Sequence, residues 1–119
     1  DAVKAQGAGI VSIMPETQRY TRPLSEAERQ LTILSDIDNA YALNLGLVFW
    51  VGKRIEGLMR DFEIHLDTFQ GNGGWLLPVP AVFIVSQDGR VLARFVDADF
   101  RTRAEPDDIL AALAKITSR

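Results

Sequence analysis

Two apolar runs near the C-terminal end, Ala81-Val-Phe-Ile-Val85 and Arg90-Val-Leu-Ala-Arg-Phe-Val96, are separated by Ser86-Gln-Asp-Gly89. Short β-branched and aromatic runs around such a turn fold as an antiparallel hairpin, with Gly89 supplying the positive φ that the turn needs. The hairpin fixes how the rest can be built, because a lone pair of strands is only marginally stable in water and must pack on something else. A helix follows with every terminal signal in place. Glu105 stands as cap, Pro106 at the first position, Asp107 and Asp108 in the first turn, and Lys115 and Arg119 near the end; anions are favoured at a helix start and cations at its end. Its buried stripe is expected to be Ile109, Leu110, Leu113 and Ile116.

Upstream, strand and helix signals alternate. Asp1–Gly7 is the tail of a helix closed by Gly7. Residues 9–14 (GIVSIM) read as a buried strand of a mostly parallel sheet, stopped by Pro15. Across 16–30, Pro23 is expected to kink or break a helix near Arg22, and Ser25 with Glu28 has the spacing of a capping box that restarts it. Leu31–Leu34 is a second short strand, after which Asp38 or Asn39 caps the helix AYALNL and Gly46 ends it. LVFWV, 47–51, is a strand. Ile55, Leu58, Met59, Phe62, Leu66 and Phe69 then form the apolar stripe of one amphipathic helix, broken by the glycines of 70–74. These signals describe an α/β chain of 119 residues with no internal repeat and no linker, the length of one domain.

The chain has no cysteine, so disulfides, thiolate metal sites and thiol nucleophiles are excluded within it. A net charge of −3 offers no basic face for nucleic acid, and no apolar run approaches the length of a membrane span. No charged n-region followed by an apolar h-region stands in these residues, so no signal peptide is expected within them. The only histidine, His65, follows Asp61 by four residues, the spacing of a base and its orienter on one helix face, although a surface role is the commoner fate of a lone histidine. Asp36 and Asp38 after a strand have the spacing of the nucleophile and acid/base of haloacid-dehalogenase-like enzymes. Ala40 stands where that family has a hydroxyl, and a strand-end turn with a helix cap accounts for both residues. Asp97, Asp99, Arg101, Arg103 and Glu105 read as a solvated loop. No catalytic residue, metal site or cofactor is assigned.

Pro80 directly before a core strand is unusual, because proline cannot donate to a ladder. A cis Val79–Pro80 bond would rationalise it. Together with IMPET at 13–17, LSDIDNAYALNLGLVF at 34–49 and GWLLPVPAVFIVSQDGRVLARFVDADFRTRAEPDDILAAL at 74–113, this segment resembles the peroxiredoxin-like (alkyl hydroperoxide reductase/thiol-specific antioxidant, or redoxin) family of the thioredoxin fold. The similarity spans nearly the whole chain and is densest in its last 45 residues.

The resemblance implies a thioredoxin-like, three-layer α/β/α domain over 1–119, incomplete at its N-terminal side, with a mixed sheet and a C-terminal hairpin and helix. It implies a thiol-dependent antioxidant oxidoreductase whose strand and cysteine-bearing helix precede Asp1, so that this chain alone reduces neither peroxide nor disulfide. Trp75, Val79 and Pro80 would then shape the redox groove, Pro80 replacing the arginine that typical two-cysteine members place there. Without the central strand, segments 9–14 and 81–85 would flank an open slot, which an N-terminal piece fills, a homodimer closes, or direct pairing of the two removes. The alternative is a cysteine-free thioredoxin-fold binding or dimerisation module. Expected partners are a second copy or the N-terminal segment, with no nucleic acid and no membrane, and the expected compartment is the cytoplasm.

Overall fold

The computed structural model describes residues 2–27, 31–97, 99 and 104–117. It is a mixed α/β protein that divides into two compact units, one of residues 11–78 and one of residues 1–10 with 79–119.

In the unit 11–78, β1 (Val11–Met14) and β2 (Thr32–Ser35) run parallel, joined by helix α2 (Gln18–Ala27). Ser12, Met14, Ile33 and Ser35 share the face toward α2, where Thr21 Oγ1 and Ser35 Oγ lie 3.3 Å apart. The opposite face, with Val11, Ile13 and Leu34, is exposed, so β1 is not the buried strand that its composition suggests. Pro23 does not break α2. Its missing N–H would have served the carbonyl of Arg19, and both residues are exposed, so water can satisfy that carbonyl. The expected capping box falls partly on Glu28, outside the described residues.

The 3₁₀ turn Ile37–Asn39 leads into α3 (Ala40–Asn44). Gly46 (φ 71°) closes α3, its N–H donating to Leu43 O and that of Leu47 to Ala42 O. This paired closure satisfies carbonyls that the helix end would otherwise strand. β3 (Val48–Trp50) pairs antiparallel with β4 (Leu76–Pro78).

The single amphipathic helix expected after β3 is two helices, α4 (Gly52–Asp61) and α5 (Leu66–Gln70). The break is the same paired closure, with Glu63 N–H donating to Arg60 O and Ile64 N–H to Met59 O, but the left-handed position (φ 59°) is held by Glu63 rather than glycine. A side chain pays a steric penalty there that glycine avoids. Glu63 is exposed and its side chain is not needed for the turn. Glu63→Gly is therefore expected to stabilise the protein by about 0.5–1 kcal/mol, read as a rise in Tm by circular dichroism; a lowered Tm would show that the side chain has a role the geometry does not reveal.

The core of this unit is Val51, Leu66 and Trp75, with Met59 and Leu77 packed against it. Gly71 (φ 72°) turns the chain out of α5 where a Cβ would stand 3.0 Å from Thr17 Cγ2, so the first glycine after α5 is needed for close approach as well as for its backbone angle.

The second unit holds α1 (Ala2–Ala5), the hairpin β5 (Ala81–Val85) with β6 (Val91–Val96), and α6 (Pro106–Thr117). Gly7 (φ 78°) and Gly89 (φ 89°) stand where the sequence places them. Val82, Ile84, Ala93 and Phe95 are half-buried on one face of the hairpin, and Phe83, Val85, Val91, Arg94 and Val96 are exposed on the other. Along α6, Leu113 is buried and Ile109, Leu110 and Ile116 are half-buried, which is the expected stripe. Thr117 donates to Gln6 across 3.3 Å, tying the last turn of α6 to the segment after α1.

The strands form three separate two-stranded ladders instead of one mixed sheet. Among the described residues β1 pairs with β2 in the one unit and β5 with β6 in the other.

Candidate functional site

Ligands of open α/β sheets bind beyond the carboxyl ends of parallel strands. In the unit 11–78 that region gathers most of the buried polar groups. Asp36, directly after β2, is buried, and its Oδ1 and Oδ2 accept from the N–H groups of Tyr41 and Ala42, both at 2.9 Å. Asn39, one of the two residues expected there, holds the N-cap position of α3 but makes no side-chain cap hydrogen bond, and the carboxylate that caps the helix is that of Asp36. The intervening 3₁₀ turn moves the helix start away, so only the earlier carboxylate reaches its free N–H groups.

Asp38 and Asn39 instead take left-handed backbone angles (φ 59° and 56°), as Asp and Asn do more readily than other side chains. Asn39 is 1% exposed. Its Nδ2 donates to Gln70 Oε1 at 3.2 Å and to Leu76 O at 3.4 Å, and Gln70 Nε2 donates to the same carbonyl at 3.0 Å. The two amides thereby fasten the turn after β2, the end of α5 and the start of β4 to one acceptor. Turning the Asn39 amide over would set its oxygen against two other oxygens, so its orientation is fixed. Asn39 Oδ1 and Glu16 Oε2 are buried acceptors that no donor among the described residues reaches. Asn72 donates to Asp38 Oδ1 at 3.0 Å, closing the outer side of the cluster.

Trp75 is 2% exposed and lies in the core of this unit, with a left-handed backbone (φ 52°). The Arg60 guanidinium carbon stands 4.7 Å from its ring centroid, within the range of a cation–π contact. Arg60 is held there by Asp67 (Nη2–Oδ2 3.6 Å) and Glu56 (Nε–Oε2 3.9 Å). Val79 and Pro80 are half-buried and belong to the other unit, immediately before β5. Their peptide bond is trans, as are all those among the described residues, where the sequence led us to expect cis. Pro80 lies outside the ladder that begins at Ala81, so no strand hydrogen bond is asked of it and the trans form suffices.

Asp61 and His65 do not share a helix face. The turn at Glu63 lies between them, and His65 is the exposed residue that precedes α5, its carbonyl accepting from Thr68 and Phe69. Asp99 N–H donates to Asp97 Oδ1 at 2.9 Å, a local turn, while Arg101 and Arg103 lie outside the described residues. Among the described residues no group of three or more His, Asp or Glu is arranged to hold a metal ion, and no helix is long and apolar enough to cross a membrane.

The chemistry of the cluster is therefore acceptance of hydrogen bonds and the setting of loop geometry. Sequence reasoning found Asp36 and Asp38 but missed Gln70. Its one signal is position, since it falls four residues after Leu66 on the line of the apolar stripe, where a polar side chain must be buried with a partner. Family models, curated proteins and solved structures were all compared with this chain, and none matches it.

Proposed function

We propose that the chain is the C-terminal part of a peroxiredoxin-like, thioredoxin-fold oxidoreductase, supplying the scaffold around a redox thiol that is carried outside it. The supporting observation is the order of elements. A helix tail closed by Gly7 precedes β1, a helical crossover leads to the parallel strand β2, and an antiparallel hairpin with a terminal helix ends the chain. That is the order that the sequence resemblance implies. The trans Val79–Pro80 bond departs from it.

With no cysteine, the 119-residue chain is expected to show no thiol-dependent peroxide consumption. A product read in frame from upstream of Asp1 that contains the cysteine segment is expected to show it, and to lose it on Cys→Ser substitution. Thiol-dependent turnover by the 119-residue chain, or a start codon just upstream with no cysteine, would overturn the reading.

The second reading, a cysteine-free binding or dimerisation module, is favoured by a different observation. Large apolar side chains are exposed on both units, including Val11, Ile13 and Leu34 on one face of the β1–β2 ladder and Val85 and Val91 on the hairpin. Parallel strands normally have both faces covered. The upstream reading frame separates the two readings.

A further inference from the structure

Helix α4 turns the wrong face to its own core. Met59 packs on the Val51–Leu66–Trp75 cluster, Arg60 stands over Trp75 and Glu56 is held by Arg60, so the inward side carries one apolar residue and two charged ones. Ile55, Leu58 and Phe62, at i, i+3 and i+7, are 43%, 51% and 72% exposed. Side chains at that spacing form one continuous line along a helix, and an apolar line of this kind in water marks a contact surface. Phe62 is the most exposed large apolar residue among those described.

We propose that α4 is a homodimer interface, pairing antiparallel with α4 of a second copy across a two-fold axis at Leu58. The charges beside the stripe select this occupant. Arg54 and Asp61 are seven residues apart and flank the stripe on the same side, one near each end of α4. Neither is in an ion pair among the described residues. A two-fold axis at Leu58 brings Ile55 opposite Phe62 of the partner subunit and Arg54 opposite the partner's Asp61, each to within about one residue's rise of 1.5 Å. The surface is thus complementary to itself in both shape class and charge, which is the requirement of an isologous contact. A uniformly cationic rim would have suited an anionic membrane instead; here each end of the stripe has the opposite sign.

The contact is small, three side chains and one charge on each copy, below the size of permanent interfaces. A reversible dimer with a dissociation constant of roughly 1–100 µM is expected. The inference rests on α4 alone and is independent of the thiol reading and of the strand edges.

The test is sedimentation equilibrium of the full 119-residue chain over a concentration series, with circular dichroism to confirm that each variant is folded. Leu58→Glu is expected to abolish association. Arg54→Glu sets two like-charged pairs across the axis and is expected to weaken it by about tenfold or more, and the double variant Arg54→Glu with Asp61→Arg to return it to within about threefold of the parent. A simple loss of helix stability would not be rescued by the second substitution. A chain that is monomeric throughout, or a dimer indifferent to Leu58→Glu, would overturn the proposal. So would binding to phosphatidylserine vesicles by a monomeric chain, lost on Leu58→Glu, which would assign the stripe to a lipid surface.

Discussion

Replacing Trp75 by alanine is expected to lower stability by about 3–5 kcal/mol, the range for removing a large buried aromatic side chain. Trp75 is one of three residues at the centre of the 11–78 core and is 2% exposed, so little solvent can relax into the space it leaves. Its substitution also removes the face on which Arg60 rests, leaving that guanidinium with only two long and partly exposed ion pairs. The backbone adds an unusual signature. At φ 52° an alanine retains the left-handed penalty while glycine does not, so Trp75→Gly is expected to be no less stable than Trp75→Ala, and more stable by up to about 1 kcal/mol. In an ordinary strand or helix the order is the reverse. Urea unfolding followed by far-ultraviolet circular dichroism measures both, compared by midpoint at constant slope. A glycine variant clearly weaker than the alanine variant would contradict the left-handed geometry, and a loss under 1 kcal/mol for either would contradict the placement of the indole in the core.

The second large effect belongs to Asp36. Each of its oxygens accepts one N–H from the start of α3, so Asp36→Ala leaves two part-buried donors without their acceptor and removes a negative charge from a helix N-terminus. The expected cost is about 2–4 kcal/mol, since hydrogen bonds to charged groups are worth more than neutral ones. Asp36→Asn keeps one acceptor oxygen but presents its NH2 to the other donor, and is expected to lose at least half as much. Asp38→Asn serves as the control, because Asp38 has only the exposed contact from Asn72 and a backbone angle that asparagine also tolerates. That variant is expected within about 0.5 kcal/mol of the parent. Equal losses at 36 and 38 would mean that the cap is shared, contrary to the geometry.

The difference between Asp36 and Asp38 shows where sequence reading reaches its limit. Both are the residue type that caps helices, and the helix after them was legible from AYALNL and Gly46. Which of them caps depends on a 3₁₀ turn between, and three residues carry too little pattern to reveal one. The same holds at Glu63. The apolar stripe continues in phase through residues 55–69, and the break is marked by no glycine, asparagine or proline, so only the folded structure shows two helices. Where the local chemistry is unambiguous, as at Gly7, Gly46, Gly89 and Pro106, element ends fall where the sequence places them.

Long-range arrangement was less legible. The strands were visible one by one, but pairing is decided by contacts between distant segments, and apolar composition alone suggested burial for Val11 and Ile13 that the β1–β2 ladder does not provide. Of the candidate site, the carboxylates were visible as types. The Asn39–Gln70 pair was not, because 31 residues separate two amides whose only shared property is burial.

The two units differ in how their segments lie along the chain. Residues 11–78 are continuous, whereas the other unit joins 1–10 to 79–119. During synthesis the continuous unit has all its contacts available as soon as Pro78 has left the ribosome. Residues 2–7 are made before that unit and wait for the far end; the Gln6–Thr117 contact spans 111 residues. At ribosomal rates of about 5–20 residues per second that wait is roughly 5–20 s. Through that interval Gln6 is without its partner in the last turn of α6, and the segment after α1 is where a chaperone or a premature contact would act.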